Sequence, residues 1–177
     1  KQVLTHGWTV DGQGRAMHKS LGNGVSPDEV IKDYGADMLR LWVSSADYTQ
    51  DMRISPEILK QLSQAYLKIR NTARYMLGNL AGFDPGQRVR VQDMLALDRW
   101  AVAQLNDLAK TVRAAYDSYE FHAAYHAVYN FCVVEMSNFY LDIIKDRLYC
   151  DDDASRASAQ SALYTILDGM TRLIAPI

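Results

Sequence analysis

Lys19 and Ser20 stand together in a glycine-flanked stretch, Gly14-Arg15-Ala16-Met17-His18-Lys19-Ser20-Leu21-Gly22-Asn23. An ammonium, a hydroxyl and free backbone N–H groups converging in such a loop suit a phosphate. A Walker loop would place glycine directly before the lysine so that the backbone can wrap the phosphates, and here that position is His18. Gly22, Asn23 and Gly24 also delay the next helix. Four of the ten glycines fall between Gly12 and Gly24, which predicts a mobile loop on a scaffold.

A second group of charges lies further on. Lys60, Lys68, Arg70 and Arg74 occupy the arc of a predicted helix opposite its apolar residues, and on that helix only Glu57 opposes them in sign. Residues 55–92 carry 6 basic and 2 acidic side chains, inside a chain whose net charge is −2. Such a patch is either a solvated helix face or a track for a phosphate backbone. Tyr116, Tyr119, Phe121, Tyr125, Tyr129, Phe131, Phe139 and Tyr140 could stack on bases, but their helical spacing directs most of them into a core. Trp42 and Trp100 are assigned to packing as well. His122 and His126 have the i, i+4 spacing of metal ligands without a third ligand beside them, so they read as partly buried, hydrogen-bonded histidines and no metal is expected. Cys132 and Cys150 form no Cys-x-x-Cys pair and read as reduced thiols.

The elements that must position these groups are mainly α-helical. Hydrophobic residues are 49% and charged residues 23% of 177, a globular balance. No apolar run reaches the roughly 18–20 residues needed to cross a bilayer. Val3 to Val10 reads as a strand, Asp11-Gly12-Gln13-Gly14 as a turn, and Arg15-Ala16-Met17 as a second extended piece. Ser26-Pro27-Asp28-Glu29 starts a helix that Gly35 ends, and another helix follows over 36–45. Ser55-Pro56-Glu57-Ile58 starts a helix about seven turns long, with Ile58, Leu62, Ala65, Tyr66, Ile69, Ala73, Met76, Leu77 and Leu80 on its apolar side. A linker over 82–91 leads to a helix built on Leu97, Ala101, Leu105, Leu108, Val112, Ala115 and Tyr119. A single helix over 120–149 follows. Asp151-Asp152-Asp153 breaks the chain before a last helix from Ala154. Long amphipathic helices with short connections predict an antiparallel bundle over 55–177, preceded over 1–54 by a short β/loop segment and small helices.

Ala16-Met17-His18-Lys19-Ser20-Leu21-Gly22-Asn23 resembles the class I aminoacyl-tRNA synthetase signature Lys-Met-Ser-Lys-Ser followed by Leu-Gly-Asn. Ala16 replaces the first lysine and His18 the first serine. The flanks are similar to bacterial-type isoleucyl-tRNA synthetases in particular: His6-Gly7-Trp8-Thr9-Val10-Asp11, Val25-Ser26-Pro27-Asp28-Glu29, Leu39-Arg40-Leu41-Trp42-Val43, Lys68-Ile69-Arg70-Asn71-Thr72, Asp98-Arg99-Trp100 and Lys145-Asp146-Arg147-Leu148-Tyr149. The resemblance implies the end of a Rossmann-like catalytic domain over 1–54 and a truncated helical anticodon-binding domain over 55–177. It implies ATP with Mg2+ as the full enzyme's cofactors, with none bound to this segment. Residues 16–20, Gly22 and Asn23 would form the ATP-binding loop. Lys19 would stabilise the pyrophosphate leaving group with help from Ser20. Lys60, Lys68, Arg70, Asn71 and Arg74 would contact the anticodon stem-loop of the isoleucine tRNA, with arginine forking a phosphate and asparagine reading a base edge.

The same resemblance implies a cytoplasmic, monomeric ligase of isoleucine to its tRNA, without membrane contact. The family's His-Ile-Gly-His motif has no copy here, so the chain reads as an internal segment that is inactive in adenylation by itself. The alternatives are a valyl- or leucyl-tRNA synthetase segment, or a non-catalytic helical RNA-binding or interaction bundle. Arg15 and His18 are both candidates to replace the missing first lysine.

Overall fold

The computed structural model describes residues 3–150 and 153–177. Strands β1 (Thr9–Val10) and β2 (Met52–Arg53) pair in parallel, Thr9 opposite Met52 and Val10 opposite Arg53. The strand expected over Val3 to Val10 is therefore reduced to two residues. Its N-terminal part finds no neighbouring strand among the described residues, and Val3, Leu4 and Trp8 are exposed. The expected second extended piece survives as one antiparallel bridge between Val10 and Ala16.

Between the strands lie α1 (Pro27–Tyr34) and α2 (Ala36–Ser45). Ser26 caps α1 by accepting from Asp28 N–H, and Glu29 reaches back to the Ser26 N–H, as the sequence pattern requires. α2 buries Met38, Leu41 and Trp42, and the Trp42 indole donates to the Arg53 carbonyl at 3.1 Å, which ties the helix to β2.

β2 runs almost directly into α3 (Pro56–Gly78), whose 23 residues rise about 35 Å. Ser55 caps it by accepting from Ile58 N–H. The buried stripe is Leu59, Leu62, Ile69, Thr72 and Met76. Ile58, Ala65, Tyr66, Ala73 and Leu80 lie only partly buried at its edges, and Leu77 is 65% exposed. The predicted face was thus rotated slightly, because the stripe contains Thr72, which an apolar count passes over.

α4 (Ala96–Asp117), α5 (Phe121–Asn130) and α8 (Asp153–Ile174) complete the bundle, with α4 packed most extensively on α8 and α5. The 82–91 linker and its continuation are pinned to α8: Val89 N–H donates to Ser161 Oγ and Leu95 N–H to Ser158 Oγ, both at 2.9 Å. Small residues Ser158, Ala159, Ser161 and Ala162 let α8 approach closely. A Cβ at Gly169 would stand 2.8 Å from Leu105 Cδ2, so a side chain there would push the Leu105 side chain aside. α8 begins at Asp153; Asp151 and Asp152 of the predicted break lie outside the described residues.

The single helix expected over 120–149 is not continuous. After α5 the chain widens into a π-helix (Phe131–Tyr140), then forms α6 (Leu141–Ile143) and α7 (Lys145–Tyr149). Cys132, Met136 and Tyr140 of the π-helix and Ile144 between α6 and α7 are buried at every fourth position, wider than the 3.6 of an α-helix. The most deeply buried charge ties these pieces together. Asp98 is fully buried, accepts two hydrogen bonds from Arg147 at 2.6 and 2.9 Å and one from Tyr140 Oη at 2.7 Å, and also accepts from Ser158. α4, the π-helix, α7 and α8 thus meet on one carboxylate.

One apolar cluster runs from Val30, Met38, Leu41 and Trp42 through α3 to Met170, so the two expected parts share a core. Trp42 is buried, and Trp100 is partly buried and meets Phe139 edge-on at 4.9 Å. Tyr125, Phe131 and Tyr140 are buried, Tyr116 and Tyr129 pack partly buried against the core, and Phe139 is 43% exposed. The histidine expectation needs correction: His122 is partly buried, but its Nδ1 has no hydrogen-bond partner, and His126 is exposed edge-on to Tyr125. Cys132 is buried, where desolvation pushes its thiol up to about 12, and Cys150 is exposed.

Candidate functional site

The Lys19 loop is held at its base by Asp11, the residue after β1. Asp11 Oδ1 accepts from Gln13 N–H at 3.0 Å and Arg15 N–H at 2.9 Å. Oδ2 accepts from Arg15 Nε and from Asn23 Nδ2, each at 2.9 Å, and a terminal guanidinium nitrogen of Arg15 pairs with it ionically at 2.9 Å. Asn23 Nδ2 also donates to the Ala16 carbonyl at 3.1 Å, and its Oδ1 accepts from His18 N–H at 2.9 Å. These hydrogen bonds, led by that from Asn23, hold the Asp11 carboxyl well below the usual carboxylate range.

Above this base, Lys19–Leu21 forms one 3-10 turn. Gly22 closes it in the left-handed region at φ +60, which glycine adopts without a Cβ penalty. Lys19, Ser20 and Leu21 are exposed, while Met17 and Val25 pack partly buried against the core. Among the described residues the Lys19 ammonium enters no ion pair. Ala16, His18, Gly22 and Asn23 flank the turn, whereas Arg15 is turned back onto Asp11 and Gln13. Sequence reasoning took Asp11 for part of a turn and missed that it gathers both ends of the loop. The only signal was an aspartate followed two and four residues later by donors.

A second concavity opens between α3 and the π-helix. A cleft of about 480 Å³ is lined by residues that include Lys68, Asn71 and Tyr75 on one wall and Ser137, Asn138 and Lys145 on the other. It shares Asn71 and Tyr75 with a neighbouring cleft of about 430 Å³ that Arg74 and Tyr149 also line. Thr72 Oγ1 bridges the walls, 2.9 Å from Ser137 Oγ and within 3.5 Å of the Cys132 carbonyl in the widened helix. The Tyr75 hydroxyl is buried, and burial foremost, then a hydrogen bond with neighbouring Tyr149, raises it to about 12. Lys145 donates to Asp142 at 2.6 Å, which raises its pKa, and Lys68 donates to Tyr129 Oη at 3.2 Å. The charged lining of the two clefts is Lys68, Arg74 and Lys145 against Asp142 alone.

All five predicted α3 residues are exposed, but the helix does not bring them to one place. Lys68, Asn71 and Arg74 line the joined clefts. Arg70 lines a different groove, with Asp37 and Arg40 of α2 and the end of α8. Lys60 lines neither. Sequence reasoning missed Tyr75, Ser137, Asn138 and Lys145 as cleft residues, since only the break after α5 brings the second wall opposite α3.

The family model described as tRNA synthetases class I (I, L, M and V) matches residues 1–55, and the one described as the anticodon-binding domain of tRNA ligase matches residues 98–177. An isoleucine–tRNA ligase of Syntrophotalea carbinolica is 62% identical over the whole chain, and one of Caldanaerobacter subterraneus 57% identical. The chain spans 19% of the length of each of these relatives. Among solved structures, methionyl-tRNA synthetase of Mycobacterium tuberculosis, bound to methionyl-adenylate, superposes with a TM-score of 0.77 at 22% identity, over 97% of this chain and 35% of that one. The LeuRS–tRNA–LeuAMS complex of Agrobacterium radiobacter superposes at 0.72 with 20% identity, over 97% of this chain and 21% of that one. These two share the fold. The chain belongs to the class I tRNA synthetase family, as a segment of the isoleucine–tRNA ligase type.

Proposed function

We propose that this chain is the part of an isoleucine–tRNA ligase that stabilises the departing pyrophosphate and holds the anticodon arm of the isoleucine tRNA. The observation that carries the reading is an unpaired, exposed Lys19 on a turn whose base is fixed, in a chain 62% identical throughout to such a ligase. The whole enzyme would join isoleucine to ATP and then to its tRNA, in the cytoplasm. Residues 1–54 would close the catalytic domain and residues 55–177 would form the anticodon-binding domain.

As the adenylate forms, negative charge grows on the leaving pyrophosphate. The Lys19 ammonium stabilises that charge, and a fixed ammonium is worth more there than a mobile one. Ser20 Oγ–H and nearby backbone N–H groups donate to the same oxygens. Mg2+, expected with ATP, finds no ligand set in the loop: its carboxylate, Asp11, already accepts four hydrogen bonds and an ion pair with Arg15. This segment therefore contributes cation and donors to the phosphates, not metal ligands.

For the tRNA arm, Lys68, Asn71 and Arg74 line the two joined clefts between α3 and the π-helix, where an unstacked base or a phosphate would meet them. Lys60 and Arg70 would meet phosphates elsewhere along the arm. Two measurements test the reading. The full-length protein should catalyse isoleucine-dependent ATP–pyrophosphate exchange. This chain should bind the isoleucine tRNA anticodon stem-loop in preference to an unrelated one by fluorescence titration. Equal affinity for both stem-loops would leave only a structural bundle.

A further inference from the structure

We propose that Asp11 and Asn23 are positioning residues for Lys19, and that Arg15 serves their clasp instead of supplying the cation that Ala16 lacks; the proposal rests on the ligase reading above. Asp11 is 5% exposed and follows directly on Val10, which is itself buried and paired to β2. Its carboxylate therefore moves with the core. It holds the entering strand of the loop through the Gln13 and Arg15 N–H groups and the leaving strand through Asn23. Asn23 in turn grips the Ala16 carbonyl and the His18 N–H on the far side of the loop. The backbone on both sides of the Lys19–Leu21 turn is thus tied, directly or through one amide, to a single anchored carboxylate. What remains unheld is the short turn that carries the ammonium.

Arg15 stands one place before the departure from the family pattern, so its direction decides whether it makes up the missing charge. Its guanidinium is bound to Asp11 Oδ2 by two nitrogens and lies 3.4 Å from Gln13 Oε1. A guanidinium committed in this way must break charge-assisted bonds before it can fork a phosphate. The loop then carries one working cation and depends more heavily on its placement.

The two roles for Arg15 predict opposite behaviour in the full-length enzyme, assayed by isoleucine-dependent ATP–pyrophosphate exchange. Asp11→Asn turns an amide N–H2 toward two donors and opens the clasp. If Asp11 merely restrained a phosphate-binding Arg15, this change would free the arginine and leave exchange unchanged or faster. The clasp predicts that kcat falls about 10- to 100-fold, the scale of a small misplacement of a catalytic group. The KM for isoleucine should not move. Asn23→Ala should act in the same direction, and the double variant should be no slower than the worse single one, since both open one clasp. Arg15→Ala should be milder than Asp11→Asn and add nothing to it. Additive losses, a specific rise in ATP KM for Arg15→Ala, or full activity of Asp11→Asn would each overturn the proposal. Should Asp11→Asn fail to fold, as read by circular dichroism, Asn23→Ala and Arg15→Ala still decide the matter, because neither side chain is buried. No exchange by the unmodified enzyme would sink the ligase reading itself; normal exchange that ignores these substitutions would sink only the clasp.

Discussion

Lys19 and Asp98 show how one residue can matter in opposite ways. Lys19 is exposed and makes no ion pair, so removing it should leave the fold intact and weaken only the step in which charge develops. Lys19→Ala in the full-length enzyme should lower kcat for pyrophosphate exchange about 100-fold with little change in isoleucine binding. Unchanged turnover would refute its role. Asp98 is fully buried and answers Arg147, Tyr140 and Ser158 at once. Asp98→Ala would leave a guanidinium facing a dry interior. Thermal unfolding of this chain should show a loss of about 3–5 kcal/mol. Tyr140→Phe deletes one hydrogen bond to the same carboxylate and should cost about 1 kcal/mol. If the two substitutions cost the same, Arg147 is not the main claimant on Asp98.

At the scale of elements, α3 and the π-helix make the cleft together. α3 supplies Lys68, Asn71 and Arg74, and the widened turns supply Ser137 and Asn138. The periodicity of α3 was plain because alternate faces are apolar and charged. The break in the following helix was not, because apolar residues at four-residue spacing also satisfy an ordinary helix over a few turns. Phosphate contacts release counterions, so tRNA affinity should fall with salt. Arg74→Ala and Lys68→Ala should each reduce the slope of log K against log salt by about 1. Arg70→Ala, in a separate groove beside Asp37 and Arg40, should change base preference least. Binding that ignores salt would rule out the cationic lining as a tRNA contact.

For the whole molecule, the catalytic-end helices and the bundle share one core. α2 packs on both α3 and α5, so the loop's scaffold and α3 form one continuous body. This chain by itself should therefore bind the anticodon stem-loop and still show no isoleucine-dependent exchange, since it spans 19% of the relatives' length. Exchange above background by the isolated chain would show that the adenylation machinery extends into these residues.

The sequence by itself determined most of the helices and their caps. These depend on local chemistry: serine before proline with glutamate three residues on, glycine after the last turn, and an apolar stripe at helical spacing. It also carried the family resemblance. Only the tertiary structure decided where Arg15 points, that Asp11 gathers the loop, and that Asn71 faces the same cleft as Lys145 from 74 positions away in the chain. The cleft depends on residues far apart in the chain, and no local preference encodes which of several exposed donors a buried carboxylate will collect.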